Sequence, residues 1–315
     1  MLNLIKNEWI KIFKRAGSYV MIAFILLGVI GSGALTKYFE MKTEQSSSNN
    51  WKAELTAQIK EDEKEIKKVP EIAKKQYKKD IEINKYRLEH NLAPSDKTTG
   101  YKFINDNKMF ISFVGLFTII VAAGIVASEF GWGTIKLLLI RPIKRTKILL
   151  SKYLTVVIFG IFMLGVLFVS SALIGFVLFG TGNGDNIHLA YMDGHVVEQN
   201  MIGYLIKTYL LSSLDVIMLT TMAFMISAVF RNSSLAIGIS IFLLLMGANI
   251  TQLISMKYDW AKYLLFANTD LTQYFDGVPL VKGMTLGFSI IMLLVYFVIF
   301  IALAFGVFTK RDVAA

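Results

Sequence analysis

The residues best placed to do chemistry sit between two long apolar runs, in EFGWGTIKLLLIRPIKRTKILLSK, residues 129–152. One acid, Glu129, opens the segment, and the bases Lys136, Arg141, Lys144, Arg145, Lys147 and Lys152 follow. Ile135, Leu138, Leu139 and Ile143 fall on one helical face, while the bases supply the other side and the next turn. That pattern belongs to a helix lying at a membrane surface or against a partner. Gly131 and Gly133 loosen the chain before it. Pro142, which has no amide donor and restricts its neighbour, ends it.

Two other groups hold reactive residue types. The stretch GTGNGDNIHLAYMDGHVVEQ contains Asp185, His188, Asp193, His195 and Glu198, all capable of ligating a metal. Their spacing fits no standard metal motif and the Gly and Asn residues read as turns, so no metal site is assigned. Asp215 lies within an apolar run, after Ser212 and Ser213 and before Thr220 and Thr221. An ionised group there costs on the order of a few kcal/mol and must face protein or water. It reads either as part of a translocation path or proton-sensitive site, or as a structural Asp bonded to the neighbouring hydroxyls. Asn249 reads as a second path residue or as an interhelical hydrogen bond. The chain has no G-x-x-x-x-G-K-[ST], no H-E-x-x-H and no G-x-S-x-G, and no cysteine for a thiol nucleophile or a disulfide framework.

These residues are set in a membrane protein. The 315 residues are 55% hydrophobic with mean hydropathy +0.55, far above a soluble domain. A span needs about 20 apolar residues to cross roughly 30 Å of hydrocarbon, and six stretches qualify: 19–36, 110–128, 149–179, 205–230, 234–254 and 285–308. They are rich in Leu, Ile, Val and Phe, which favours helices over barrel strands. Lys6, Lys11, Lys14 and Arg15, the 129–152 segment, Arg231, and Lys310 with Arg311 all fall on one side if the spans alternate. By the positive-inside rule both termini are cytoplasmic, in a plasma membrane. The net charge of +10 is then largely topological, with anionic lipid as its counter-charge and no nucleic acid implied.

Before the first span, NEWIKIFKR places Trp9, Ile10, Ile12 and Phe13 among bases and reads as an interfacial helix. Residues 1–36 thus form that helix and span one, residues 37–108 an extracellular insert, and residues 109–315 the remaining five spans. In the insert, Leu55, Ile59, Ile66, Ile72, Tyr77 and Ile81 recur at helical spacing around Pro70. They predict helices over 49–68 and 71–91, stacked as a hairpin or running on through a kink. The insert either receives a substrate or partner or is a solvated stalk. Residues 231–234 predict a tight turn between spans four and five. Tyr258, Trp260, Tyr263 and Phe266, interleaved with Lys257 and Lys262, predict an interfacial segment at the outer surface.

Glu129, Gly133, Thr134, Lys136, Pro142, Arg145 and Lys152 resemble the E-x-x-x-G-T-x-K, P-x-x-R and K pattern of ABC-2 type transporter permeases. The amphipathic start, six apolar runs and closing FTKRD extend the resemblance over the chain apart from the insert. It implies an all-α membrane protein of six transmembrane helices, with residues 129–147 as a cytoplasmic coupling helix between spans two and three. It further implies a permease dimerised with an identical or related permease and driven by a separate ATPase subunit that binds ATP and Mg. This chain itself would then be no enzyme and hold no cofactor. The cargo of such an exporter could be a peptide, an antibiotic, a lipid-like molecule or an ion, antimicrobial peptides among them. A rival reading is a non-transporting sensor or scaffold whose extracellular helices bind a ligand. A third is an intramembrane enzyme built on Asp215.

Overall fold

The computed structural model describes residues 1–43, 50–69, 71–94, 98–134, 143–182, 187–192, 194–230, 232–275 and 279–310. Helix α1 (Leu2–Phe13) leads through a tight corner into α2 (Ala16–Thr43). The insert carries α3 (Trp51–Glu65) and α4 (Glu71–Glu89). A short α5 (Gly100–Asp106) then runs through a single 3-10 turn into α6 (Ile111–Gly131). The long α7 (Arg145–Phe179), α8 (Met201–Phe230), α9 (Ser233–Ser255) and α10 (Leu286–Lys310) complete the bundle. Among the described residues, six helical segments are long and apolar enough to cross a membrane, the second formed by α5, the turn and α6 together. The protein is a predominantly helical, multi-pass membrane protein.

The core lies where α6, α7 and α8 meet. Ile119, Ala122, Ala123 and Val126 of α6 pack with Val156, Phe159 and Met163 of α7 and with Leu219, Met222 and Ala223 of α8. Small side chains let these helices approach closely, which matters because lipid supplies little hydrophobic drive and association rests on contact and hydrogen bonding. Thr118, Thr155, Thr220 and Thr221 satisfy their hydroxyls on carbonyls of their own helices four residues back. By contrast α2, α9 and α10 keep broad apolar faces exposed, with Leu27, Phe242, Leu253 and Ile291 among the most open.

Two features differ from the sequence expectation and one open choice is settled. First, α2 does not stop at residue 36 but continues to Thr43, because Lys37 and Glu40 pair along its surface and Glu40 accepts the Thr98 amide across the neck of the insert. Second, α3 and α4 stack as a hairpin, the first of the two arrangements expected, with Lys85 3.6 Å from Glu63. Third, the loop after α7 is not only turns. It forms an antiparallel hairpin of β1 (Ile187–Met192) and β2 (His195–Asn200), with Met192 opposite His195, so the chain is not wholly helical. The β-branched residues of IHLAYM and HVVEQN carry that signal, and the flanking Gly and Asn obscured it.

At this end of the bundle the separate connections converge. Helix α4 packs on both strands, the Tyr86 hydroxyl donates to Glu198, and Lys75 reaches the Pro279 carbonyl. The segment between α9 and α10 also folds inward rather than lying flat. Tyr258, Trp260 and Tyr263 are half exposed, as an interfacial belt requires, but Leu265, Ala267, Asn268 and Leu271 are buried. Asn268 holds the fold there, donating to the Lys262 and Leu264 carbonyls and accepting from Ser289 of α10. Gly247 of α9 makes room for it: a Cβ at that position would lie 2.3 Å from the Phe266 ring.

Candidate functional site

At the opposite, basic end, the sequence of α1 builds a stripe of Ile5, Glu8, Trp9, Ile12 and Phe13 at helical spacing. Trp9 and Phe13 meet Phe162 of α7 edge to face at 5.7 and 5.6 Å. The helix is therefore docked on the bundle and not merely resting on the lipid surface. The Ser18 hydroxyl closes the corner by donating to the Ile12 carbonyl at 2.6 Å.

Glu8 occupies an inward position of that stripe, where an apolar residue would be expected, and this is resolved by a closed ring of four charges. Lys152 Nζ lies 2.8 Å from Glu8 Oε2 and 3.0 Å from Glu129 Oε1. Lys11 Nζ lies 2.9 Å from Glu8 Oε1 and 3.2 Å from the same Glu129 oxygen. The other Glu129 oxygen accepts from the Thr134 hydroxyl. The Lys152 side chain is 2% exposed and the two carboxylates are nearly as covered, whereas Lys11 is 48% exposed. Burying each ion costs several kcal/mol, and only multiple good contacts offset that. Two acids against two bases leave the ring neutral. Burial pulls the Lys11 ammonium pKa down, but hydrogen bonds and charge from Glu8 and Glu129 outweigh it and hold the group above its ordinary value.

The ring joins three elements: α1, the end of α6 and the start of α7. Around it, the Arg15 guanidinium stands 5.3 Å over the Trp132 ring, and Arg145 donates to the Thr309 carbonyl at the end of α10. A cation at a helix C-terminus is favoured by the unpaired carbonyls there. Gly133 has φ +70, a left-handed conformation that glycine adopts without steric cost, and it turns the chain out of α6 toward Thr134. Of the residues read from sequence as one functional group, Glu129, Gly133 and Thr134 are thus brought together, and Arg145 is directed to the last span. Lys136 and Pro142, with the rest of the expected coupling helix over 135–142, lie outside the described residues. Lys144 and Lys147 are exposed. Sequence reasoning took Lys11 only as topological charge and passed over Glu8. The signal was present: a lone acid on the apolar stripe of a basic helix.

The other candidates lie elsewhere. Asp215 of α8 is half-buried and faces the Thr269 hydroxyl and Asp270 of the infolded segment, not the serines and threonines of its own helix. Asn249 is exposed, and its amide donates to the Leu245 carbonyl one turn back on the same helix, so it forms no interhelical bond there. His188 stacks on Tyr204 at 3.6 Å, Glu198 takes Tyr86, and His195 sits at the hairpin turn. Asp185 and Asp193 lie outside the described residues, among which no three His, Asp or Glu side chains lie close enough to hold a metal.

Comparison with known proteins places this architecture in a family. A family model described as "Protein of unknown function (DUF2705)" matches residues 76–314, which take in Glu129, Thr134, Arg145 and Lys152 but not α1. Over the full length of both chains the protein is 55% identical to "Uncharacterized protein YhcI" of Bacillus subtilis (strain 168). It is 36% identical over 198 residues to "Uncharacterized membrane protein YdbK" of the same organism, covering 62% of this chain and 76% of that one. With a family model spanning most of the chain and a relative similar from end to end, the protein is a member of the DUF2705 family.

Proposed function

We propose that the protein is the membrane-spanning subunit of an ATP-binding cassette exporter in the plasma membrane, with both termini cytoplasmic. A separate ATPase subunit, carrying ATP and Mg, drives it through residues 129–147, and a second permease copy or a related chain completes the pore. The observation that carries this reading is the position of Glu129. It ends span two, is tied at once to the N-terminal helix and to span three, and accepts Thr134 at the start of the basic segment. A push on that segment therefore reaches three elements together. Nucleotide drives such a change only by binding one arrangement better, by about 5.5 kcal/mol for a shift from 1:99 to 99:1. Asp215, facing the infolded outer segment, is the residue assigned to the path.

The test is recovery of an ATPase from gently solubilised host membranes with the tagged chain. Lys144→Glu with Lys147→Glu, on exposed positions, is expected to detach it while leaving the bundle folded. Recovery of no ATPase with the wild type overturns the proposal. One observation favours the second reading, a sensor or scaffold: the connections at the insert end form a single cap of α3, α4 and the β-hairpin. That reading expects a ligand for the cap and no ATPase.

A further inference from the structure

Charge at the basic end is unevenly paired. Among the described residues Glu8 and Glu129 are the acids of that end, and the ring encloses both with Lys11 and Lys152. Lys6, Lys14, Arg15, Lys144 and Lys147 are exposed, and none has a carboxylate within ion-pair distance among the described residues. Lys14 and Arg15 make up the corner between α1 and α2. The Arg15 guanidinium stands over Trp132, itself 68% exposed, and its N–H donors have no acceptor among the described residues. Beyond the corner α2 exposes Tyr19, Val20, Phe24 and Leu27, the last three on one helical face. On α1, Leu2, Lys6, Ile10 and Lys14 follow one another at four-residue spacing, all exposed, an apolar and a basic residue in turn. Cations therefore stand at the end of span one, and an open apolar strip runs from them into the bilayer.

We propose that the corner between α1 and α2 binds an anionic phospholipid. Lys14 and Arg15 take the headgroup phosphate, Trp132 flanks it at the interface, and an acyl chain lies along Val20, Phe24 and Leu27. The contact with the Trp132 ring leaves the guanidinium its N–H donors, which suit a phosphate in a two-pronged fork. A soluble anion would meet the bases but leave the apolar strip bare, whereas a phospholipid matches both. The leaflet facing this end, cytoplasmic by the positive-inside rule, is the one that carries anionic lipid. Bound there, the lipid holds the corner that Ser18 closes onto the Ile12 carbonyl, and with it the docking of α1. The site follows from membrane insertion and does not depend on the exporter reading.

The test uses the full chain in lipid nanodiscs with Trp132 kept and the other three tryptophans replaced by phenylalanine. The nanodiscs mix phosphatidylglycerol with phosphatidylcholine, one of the two brominated near the head of its acyl chains, and quenching of Trp132 reads the preference between them. A base near an anionic surface adds roughly fivefold to binding. The unaltered corner is therefore expected to favour phosphatidylglycerol by at least about tenfold, and Lys14→Gln with Arg15→Gln by no more than about twofold. Lys60→Gln with Lys64→Gln removes the same charge from exposed positions of α3 and is expected to change nothing, which separates a site from net charge. Glycerol phosphate in excess is expected to leave the quenching in place. Equal quenching by both lipids, or a preference that survives the corner substitutions, overturns the site and leaves these bases to a protein partner or to topology. Relief by glycerol phosphate overturns it too, in favour of a soluble phosphate. Because the measurement needs no ATPase, a lipid preference with no ATPase recovered keeps the site and sinks the exporter, and an ATPase recovered without the preference does the reverse.

Discussion

Replacing Lys152 by methionine keeps the length of the side chain but leaves the Glu8 and Glu129 carboxylates with only Lys11 between them. Removing one partner of a buried pair costs about 3–5 kcal/mol, since an uncompensated charge stays behind. Lys152 is 2% exposed and holds both acids, so the full effect applies to it; Lys11, 48% exposed, compensates part. We expect a loss of about 3 kcal/mol, roughly a hundredfold in the folding equilibrium. Glu129→Gln in the same background removes the stranded charge, so the double variant should be more stable than additivity predicts, by about 2 kcal/mol. The assay is denaturant titration in detergent micelles, following Trp9 emission in a chain whose other three tryptophans are phenylalanine. Trp9 packs beside the ring against Phe162, and its emission reports whether α1 stays docked. A cost below about 1 kcal/mol for Lys152→Met, or an additive cycle, would refute the ring as a buried, coupled joint.

Other outcomes follow from particular contacts. The Lys11 pKa is raised in the folded state, so its contribution is complete below the ordinary value of 10.5 and lost as pH rises through the folded value; Trp9 emission should hold steady up to about pH 10 and shift red above it. Gly247→Ala forces the Phe266 ring out of its seat, so a cysteine placed at the buried Ala267 should react with maleimide at least tenfold faster than in the Gly247 background, whereas Gly203→Ala, with open space around it, should change nothing. Asp215→Asn relieves repulsion from Asp270 and keeps a polar partner for Thr269, so thermal stability should hold or rise; a drop of several degrees would mean that the charge itself is structural.

How much of the site was legible depends on whether its partners were near in sequence. Glu129, Gly133 and Thr134 lie within six residues, and their pattern marked them as a group; the structure adds that the carboxylate takes the Thr134 hydroxyl. Glu8 and Lys152 are 144 residues apart, and no local pattern announces that one acid will share one lysine with another. The same holds for Ser227 and Ala123, where an ordinary serine near the end of an apolar run hydrogen-bonds the backbone of a different helix. For Asp215, the sequence offered its helical neighbours as hydroxyl partners, while the fold supplied Thr269 from an infolded segment read as a surface belt.

The sequence by itself determined the class: six apolar runs of bilayer length favour helices, whose backbone groups pair within each span, over strands, which pair theirs only in a closed barrel. It also determined the insert helices, whose apolar spacing and flanking turns are local properties, and the concentration of net positive charge at one end. Only the tertiary structure decided which charges are buried and which are free, since a buried ion is tolerable only beside partners that packing brings from distant segments. It alone made α1 a docked helix, gathered the insert and the β-hairpin into one cap, and hydrogen-bonded a serine of α8 to the backbone of α6. Hydropathy sets how many helices cross the membrane; side-chain shape and hydrogen bonding between them set how they meet.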